Sequence, residues 1–237
     1  MLGLIMNEQE FLQKKEQFEN ELRSFFDNDR MIIKTNSERL CHFFELACYS
    51  RFVEYYRSQN FKLKCHLKNN ENVFRFKATT QGKPNKYSYF RISQNASVTE
   101  GESRKYDVRA NMPVKSFFDN CKYTPDIVVS LFSDDEDIKV IENQNLVTFC
   151  EVKYLKPHPE MLANFIGLLH EITPNLLSGP EICPGLHPAP SLIASGRSSE
   201  NVNDIVTGML NRYTVNFALN YENNSEGLVP SKRIHEQ

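Results

Sequence analysis

The chain of 237 residues reads as a mixed α/β (α+β) domain, a mixed β-sheet flanked by helices and preceded by an N-terminal helix. Three observations predict this class. Two helical-period segments open the chain, short strand-like segments fill its middle, and strand and helix alternate over its last third. That order excludes a pure bundle or sandwich. Hydrophobic residues make up 40% of the chain, enough for a sizeable core and too many for a disordered one. The sequence also has no internal repeat, which argues against a solenoid.

Each element follows from its pattern. Residues 7–27 place Phe11, Lys15, Phe18, Leu22, Phe25 and Phe26 at helical spacing among Glu, Gln and Lys. Ser37 is the expected N-cap of a long helix ending near Gln59, closed by Asn60. Strands are expected at Phe61–Leu67 and Val73–Ala78, with the polar run 68–72 as their hairpin turn. A second pair covers Tyr87–Ile92 and Tyr106–Ala110. A third covers Ile127–Leu131 and Val147–Tyr154 around an acidic loop at Ser133–Asp137. A helix follows from Pro159 to about Ile172, with Met161, Leu162, Phe165, Ile166, Leu168 and Leu169 as its apolar face. Residues 173–190 hold five Pro and two Gly and predict a loop without regular elements. Strand Ser191–Ser195, helix Glu200–Asn211 and strand Tyr213–Leu219 complete the domain, and the polar residues past Asn220 read as a flexible tail.

Composition narrows function only a little. Lys plus Arg number 28 against 30 Asp plus Glu, a formal charge of −2, so there is no basic excess to mark a nucleic-acid binder. The six cysteines form no CxxC pair, and several lie in apolar stretches, which predicts reduced thiols in a cytoplasmic protein. No apolar run approaches the roughly 18 residues of a membrane span, so no membrane partner is expected.

The chemistry concentrates in two apolar strands that carry charge. One is Thr124-Pro125-Asp126-Ile127-Val128-Val129, and the other is Phe149-Cys150-Glu151-Val152-Lys153-Tyr154. Side chains alternate along a strand, so Glu151 and Lys153 share one face, about 7 Å apart. Pro125 lacks an N–H and suits a strand start, with Asp126 next to it. Antiparallel pairing of the two strands would bring Asp126 to Glu151. Two converging carboxylates make a hard oxygen site suited to Mg²⁺, and a Lys beside it can orient or deprotonate a water, or stabilise charge on a phosphate. A surface strand with an ordinary Glu–Lys pair is the plainer alternative. The long helix adds a third acid. At about 100° per residue its polar arc holds Arg39, Ser50, Arg51, Glu54, Arg57 and Ser58, while Glu45 falls among Cys41, Cys48, Tyr49 and Phe52. A carboxylate in an apolar stripe needs a partner or a metal. Glu38, in the expected first turn, is explained by the helix dipole alone.

A helix with an inward Glu, a run of strands, Pro-Asp at a strand start, Glu-x-Lys in the next strand and a helix after it: this order resembles the PD-(D/E)xK, or restriction-endonuclease-like, nuclease superfamily. The residues that carry the resemblance are Pro125-Asp126, Glu151-Val152-Lys153 and Glu45. It implies a nuclease-like domain over 37–220, an N-terminal helical extension over 1–36 and a tail over 221–237. Residues 79–122 exceed what the minimal fold needs and are expected to insert strands or a specificity loop. The resemblance further implies metal-dependent hydrolysis of phosphodiesters, in DNA ahead of RNA. Asp126 and Glu151 would bind Mg²⁺ (or Mn²⁺) with the main-chain carbonyl of Val152, Lys153 would position the attacking water, and Glu45 would back these ligands from the helix or bind a second metal. A homodimer or partner subunit is compatible with it. The alternative is the same fold kept as a scaffold or regulatory subunit without turnover.

Other candidates carry less. Cys183-Pro184-Gly185-Leu186-His187 with His170 lacks zinc spacing. The Asp134–Asp137 run lacks the Gly and terminal Glu of a calcium loop. Lys83, Lys86, Arg104 and Lys105 could reach a phosphate backbone or simply solubilise loops. Ser195-Gly196-Arg197-Ser198-Ser199 could hold a phosphate or merely cap a helix. Tyr154 and His158 could line the mouth of the site.

Overall fold

A central helix organises the molecule. In the computed structural model, which describes residues 8–27, 32–34, 39–68, 73–94, 104–135, 137–176, 187–221 and 232–234, α1 spans Glu8–Asp27 and β1 spans Ile32–Lys34. The central helix, α2, spans Leu40–Ser58. Its N-cap is Arg39, in extended conformation and with no side-chain cap bond. Ser37, the expected cap, and Glu38 lie outside the described residues. The C-terminus behaves as expected. Asn60 takes a left-handed φ of 64°, Asn60 N–H reaches the Arg57 carbonyl at 3.0 Å, and Phe61 N–H reaches Tyr56 at 3.1 Å. This is the Schellman closure, with Asn in the glycine position.

Seven strands form the main sheet. Chain order gives β2 (Lys62–His66), β3 (Val73–Arg75), β4 (Tyr89–Gln94), β5 (Arg104–Ala110), β6 (Val114–Lys115), β7 (Lys122–Tyr123), β8 (Ile127–Leu131) and β9 (Leu146–Lys153). Then come α3 (Pro159–Ile172), β10 (His187–Pro188), β11 (Ser191–Ala194), α4 (Glu200–Arg212), β12 (Asn216–Ala218) and β13 (Arg233–Ile234). The sheet order is β12-β11-β9-β8-β5-β4-β2. From β2 to β9 every pairing is antiparallel, while β11 lies parallel to both β9 and β12. The parallel pairs are the ones joined by helices α3 and α4, as crossover connections require. The class is thus mixed α/β, a mostly antiparallel sheet with helices on both faces.

Two expected pairs hold and one does not. β4 with β5 and β8 with β9 are antiparallel neighbours. The expected first hairpin is absent: β2 pairs with β4, and β3 pairs in parallel with β1. Phe74, at the middle of β3, decides this by joining an aromatic cluster with Phe26, Tyr49 and Phe90, which draws the strand away from β2. β4 and β5, inside the 79–122 segment, are inner strands of the main sheet.

Each face of the sheet has its own core. On one side α2 presses Phe44, Tyr49, Phe52, Val53 and Tyr56 onto Phe90, Val108, Ile127 and Val152. On the other, α3 and α4 press Leu162, Phe165, Leu169 and Val202 onto Val128, Phe149 and Leu192. The expected polar arc of α2 needs correction, because α1 covers part of it. Ser50 is buried, and Arg51 donates to both carboxylate oxygens of Glu21, with Nη2 at 2.6 Å from Oε2. The Arg51 guanidinium also lies 4.8 Å from the Tyr221 ring centre.

The 173–190 segment and the tail also differ from expectation. β10 pairs with β13, His187 is fully buried with Nδ1 3.0 Å from the Tyr56 hydroxyl, and Ile234 joins the second core. Pro174–Leu176 form a 3₁₀ turn, residues 177–186 lie outside the described residues, and the Pro and Gly pattern could not reveal a strand of two residues that exists only through a distant partner. Cys48 and Cys150 are buried thiols, Cys121 is exposed, and Cys183 lies outside the described residues. None of the described helices is long and apolar enough to cross a membrane.

Candidate active site

The antiparallel register of β8 and β9 sets Ile127 opposite Cys150, so Asp126 and Glu151 meet at the same end of the sheet. Lys153 joins them: its Nζ is 2.9 Å from Asp126 Oδ2 and 2.6 Å from Glu151 Oε2. One ammonium touching both acids puts the two carboxylates within two hydrogen-bond lengths of each other. Asp126 Oδ2 also accepts the Val152 N–H at 2.7 Å, which ties the Pro-Asp turn to β9. The three residues expected from the motif are therefore brought together by pairing alone.

Glu45, on α2, lies within electrostatic reach of the same cluster. Burial, then the negative charge of Asp126, pushes its carboxyl up to about 8; Lys153 pulls it back and Glu151 adds to the rise. Its Oε2 is buried without a hydrogen-bond partner. Glu151 rises to about 7, chiefly through burial and secondarily through Asp126. Lys153 shifts the other way from what its burial alone would cause, because Asp126 and Glu151 hold it in the charged form well above the ordinary lysine range. Lys153 is thus a fixed cation here, suited to orienting a water or a phosphate oxygen and unsuited to accepting a proton.

These residues fit a hard divalent cation. Asp126 and Glu151 offer converging oxygens, and the unpartnered Glu45 oxygen lies buried in the same electrostatic cluster. Among the described residues no group of three or more His, Cys, Asp or Glu converges as a complete metal cage. Two acids plus water and substrate oxygens is the donor set Mg²⁺ tolerates, since it keeps much of its hydration.

Two supporting residues carried no signal in the sequence. Asn111 follows β5 with a left-handed φ of 47°. Its N–H donates to the Asp126 carbonyl at 2.9 Å, its side-chain amide donates to the Lys77 carbonyl at 2.8 Å, and it also bonds Glu45. Lys77 is buried and donates to the Asn111 carbonyl at 2.8 Å and to Thr79 at 2.7 Å; burial lowers it to about 8. Asn111 thereby links the helical acid to the strand acid. A lone Asn after a strand reads as a turn, so only the three-dimensional contact reveals it.

The remaining candidates separate. His158 lines a cleft of about 330 Å³ beside Glu151 and Lys153. Tyr154 turns to the opposite face, with its ring 5.4 Å from Phe44. Ser199 accepts the Val202 N–H and caps α4, which is the plainer of the two readings of the 195–199 loop. His170 is exposed and stacks on Phe118, far in role from any zinc set. Asp135 and Asp137 form a turn, with Asp135 accepting the Asp137 N–H at 2.8 Å.

Two outcomes follow from this geometry. The Glu45 carboxyl is raised from 4.5 to about 8, so the folded state binds the extra proton between those values and loses stability as pH rises through that window. Glu45→Gln is expected to flatten that loss and to raise stability at pH 8 by up to about 3 kcal/mol relative to wild type. Urea unfolding at several pH values checks it; a parallel pH profile in the two proteins counts against it. Gly196 supports the loop after Lys153, where an added Cβ would stand 2.7 Å from Lys156 Cα and 2.9 Å from Lys156 N. Gly196→Ala must therefore displace backbone, at a cost of about 1–3 kcal/mol, and an unchanged melting temperature would show that the contact is looser than this.

Comparison with known proteins finds no matching family model, no matching curated protein and no matching solved structure. Function is therefore read from the site's own chemistry.

Proposed function

We propose that the protein is a metal-dependent nuclease of the PD-(D/E)xK, restriction-endonuclease-like type, hydrolysing phosphodiester bonds in DNA ahead of RNA. The observation that carries this reading is the meeting of Asp126, Glu151 and Lys153 at one end of β8 and β9, with the buried, unpartnered Glu45 oxygen contributing from α2. Bound Mg²⁺ would supply Lewis acidity to a phosphate oxygen and lower the pKa of a coordinated water. Asp126 and Glu151 hold the cation, with the Val152 carbonyl as a third ligand. Lys153, kept charged by the two acids, orients the attacking water and offsets negative charge on the phosphate. Glu45 holds the cluster from α2 through Asn111.

The test is cleavage of mixed single- and double-stranded DNA and RNA with Mg²⁺ or Mn²⁺, with chelator as control. Chelator-sensitive cleavage is expected. Metal binding by calorimetry without cleavage of any of these substrates would instead favour the scaffold. One observation favours that second reading: Lys153 already contacts both carboxylates, at 2.9 and 2.6 Å, so the three side chains hold together as a structural ion group.

A further inference from the structure

The cleft beside Lys153 has features the phosphodiester chemistry does not use. It holds about 330 Å³ and is bounded by Glu151 and Lys153 on β9, Leu192 on β11, and Met161, Asn164, Phe165 and Leu168 on α3. Met161, Phe165 and Leu192 are buried and form an apolar floor, while Leu155, His158 and Asn164 are exposed around its rim. Charge is therefore confined to the end occupied by Glu151 and Lys153, and the rest is an apolar slot with one amide and one imidazole.

We propose that this cleft receives a single nucleobase, the base of the nucleotide whose phosphate lies against Lys153. The reading deepens the nuclease proposal and rests on it only for the position of that phosphate. The volume is at the small end of ligand sites, sized for one ring system and far too narrow for a duplex. Flat rings gain from apolar and aromatic walls, which Met161, Phe165 and Leu192 provide. Asn164 supplies both a donor and an acceptor for a base edge. The ligand's charge must sit at the Lys153 end and its apolar plane deeper in, and a nucleotide is polarised in this way. A base can enter only after leaving its stack, so cleavage is directed to single strands, frayed ends or extruded nucleotides.

The test separates this from the nuclease reading by working without turnover. Calorimetry in Mg²⁺ compares deoxyadenosine 5′-monophosphate with 2-deoxyribose 5-phosphate on the full chain, neither of which carries a phosphodiester to cleave. The nucleotide is expected to bind roughly tenfold or more tightly, the contribution of one stacked base. Leu168→Trp, which fills the slot from a partly exposed position, is expected to abolish that difference. Asn164→Ala, on the exposed side of α3, is expected to reduce it several-fold without affecting folding. Equal affinity for the two ligands, or a base preference that survives in folded Leu168→Trp, overturns the proposal. Cleavage that is insensitive to chelator would overturn the nuclease reading and leave the base preference standing, so the two failures are distinguishable.

Discussion

Under the proposed nuclease reading, Asp126→Asn is expected to lower metal-dependent cleavage by roughly a hundredfold or more while leaving the fold intact. The size follows from removing one of two charged ligands to a catalytic cation, which forfeits several kcal/mol of transition-state stabilisation. Asn is the informative replacement, because Asp126 has a second task. Its Oδ2 accepts the Val152 N–H at 2.7 Å, and Ala would leave that donor unsatisfied at about 1–3 kcal/mol. The Asn carbonyl can keep the bond and lose only the charge. Lys153→Ala separates binding from turnover. Lys153 holds Asp126 and Glu151 together, and its removal leaves two acids facing each other. Its side chain keeps 36% exposure, so screening limits the loss of stability to about 1–2 kcal/mol. That contribution is complete below the ordinary lysine value of 10.5 and fades only at higher pH, so a comparison at pH 8 captures it in full. Mg²⁺ is then expected to raise the melting temperature more in Lys153→Ala than in wild type, while turnover falls roughly a hundredfold. Equal cleavage rates in wild type and both variants would remove these residues from the chemistry.

The motif was legible because it depends on local rules. Strand alternation placed Glu151 with Lys153, and a Pro-Asp strand start placed Asp126 where antiparallel pairing delivers it. Glu45 stood out because a helical wheel set it against apolar neighbours, and burial with a raised carboxyl bears out that it is not on a solvated face. What stayed hidden depends on tertiary partners. The polar arc of α2 is only partly solvated, because Glu21 arrives from α1 to pair with Arg51 and Ser50 is buried. The first hairpin failed because a short turn predicts adjacency only when no stronger partner competes, and Phe74 has one in the aromatic cluster. On the sheet face opposite α2, the buried ion group of Asp107 with Arg91 and Arg109 likewise has no local signature. Arg91 Nε lies 2.7 Å from Asp107 Oδ1, and the Arg109 guanidinium sits 3.6 Å from the Tyr89 ring centre. Two positive side chains inside a strand pair read as a solvated face until the cross-strand acid and ring are known.

Tyr49→Ala is expected to produce the largest loss of stability, about 3–5 kcal/mol, and to impair the site from a distance. Tyr49 is fully buried, and its ring lies 5.6 Å from Phe76, 6.1 Å from Phe74 and 6.3 Å from Phe90. Truncation removes that packing and leaves a cavity the surrounding rings cannot close. The hydroxyl donates to the Val108 carbonyl at 2.7 Å and so pins α2 to β5. Tyr49 stands one turn beyond Glu45, on the same side of the helix, so this pin also sets the depth of Glu45 relative to the charge of Asp126. Tyr49→Phe keeps the ring and loses only the bond, at about 1 kcal/mol. The pair therefore divides packing from positioning. If α2 is held by the rings, Tyr49→Phe keeps full cleavage and the raised Glu45 carboxyl. If the hydroxyl sets the depth, Tyr49→Phe shifts the pH profile of cleavage while its melting temperature moves only slightly. Denaturant unfolding together with a pH–rate profile for both variants reads the two effects independently, and a Tyr49→Ala protein as stable as wild type would show that α2 is anchored elsewhere.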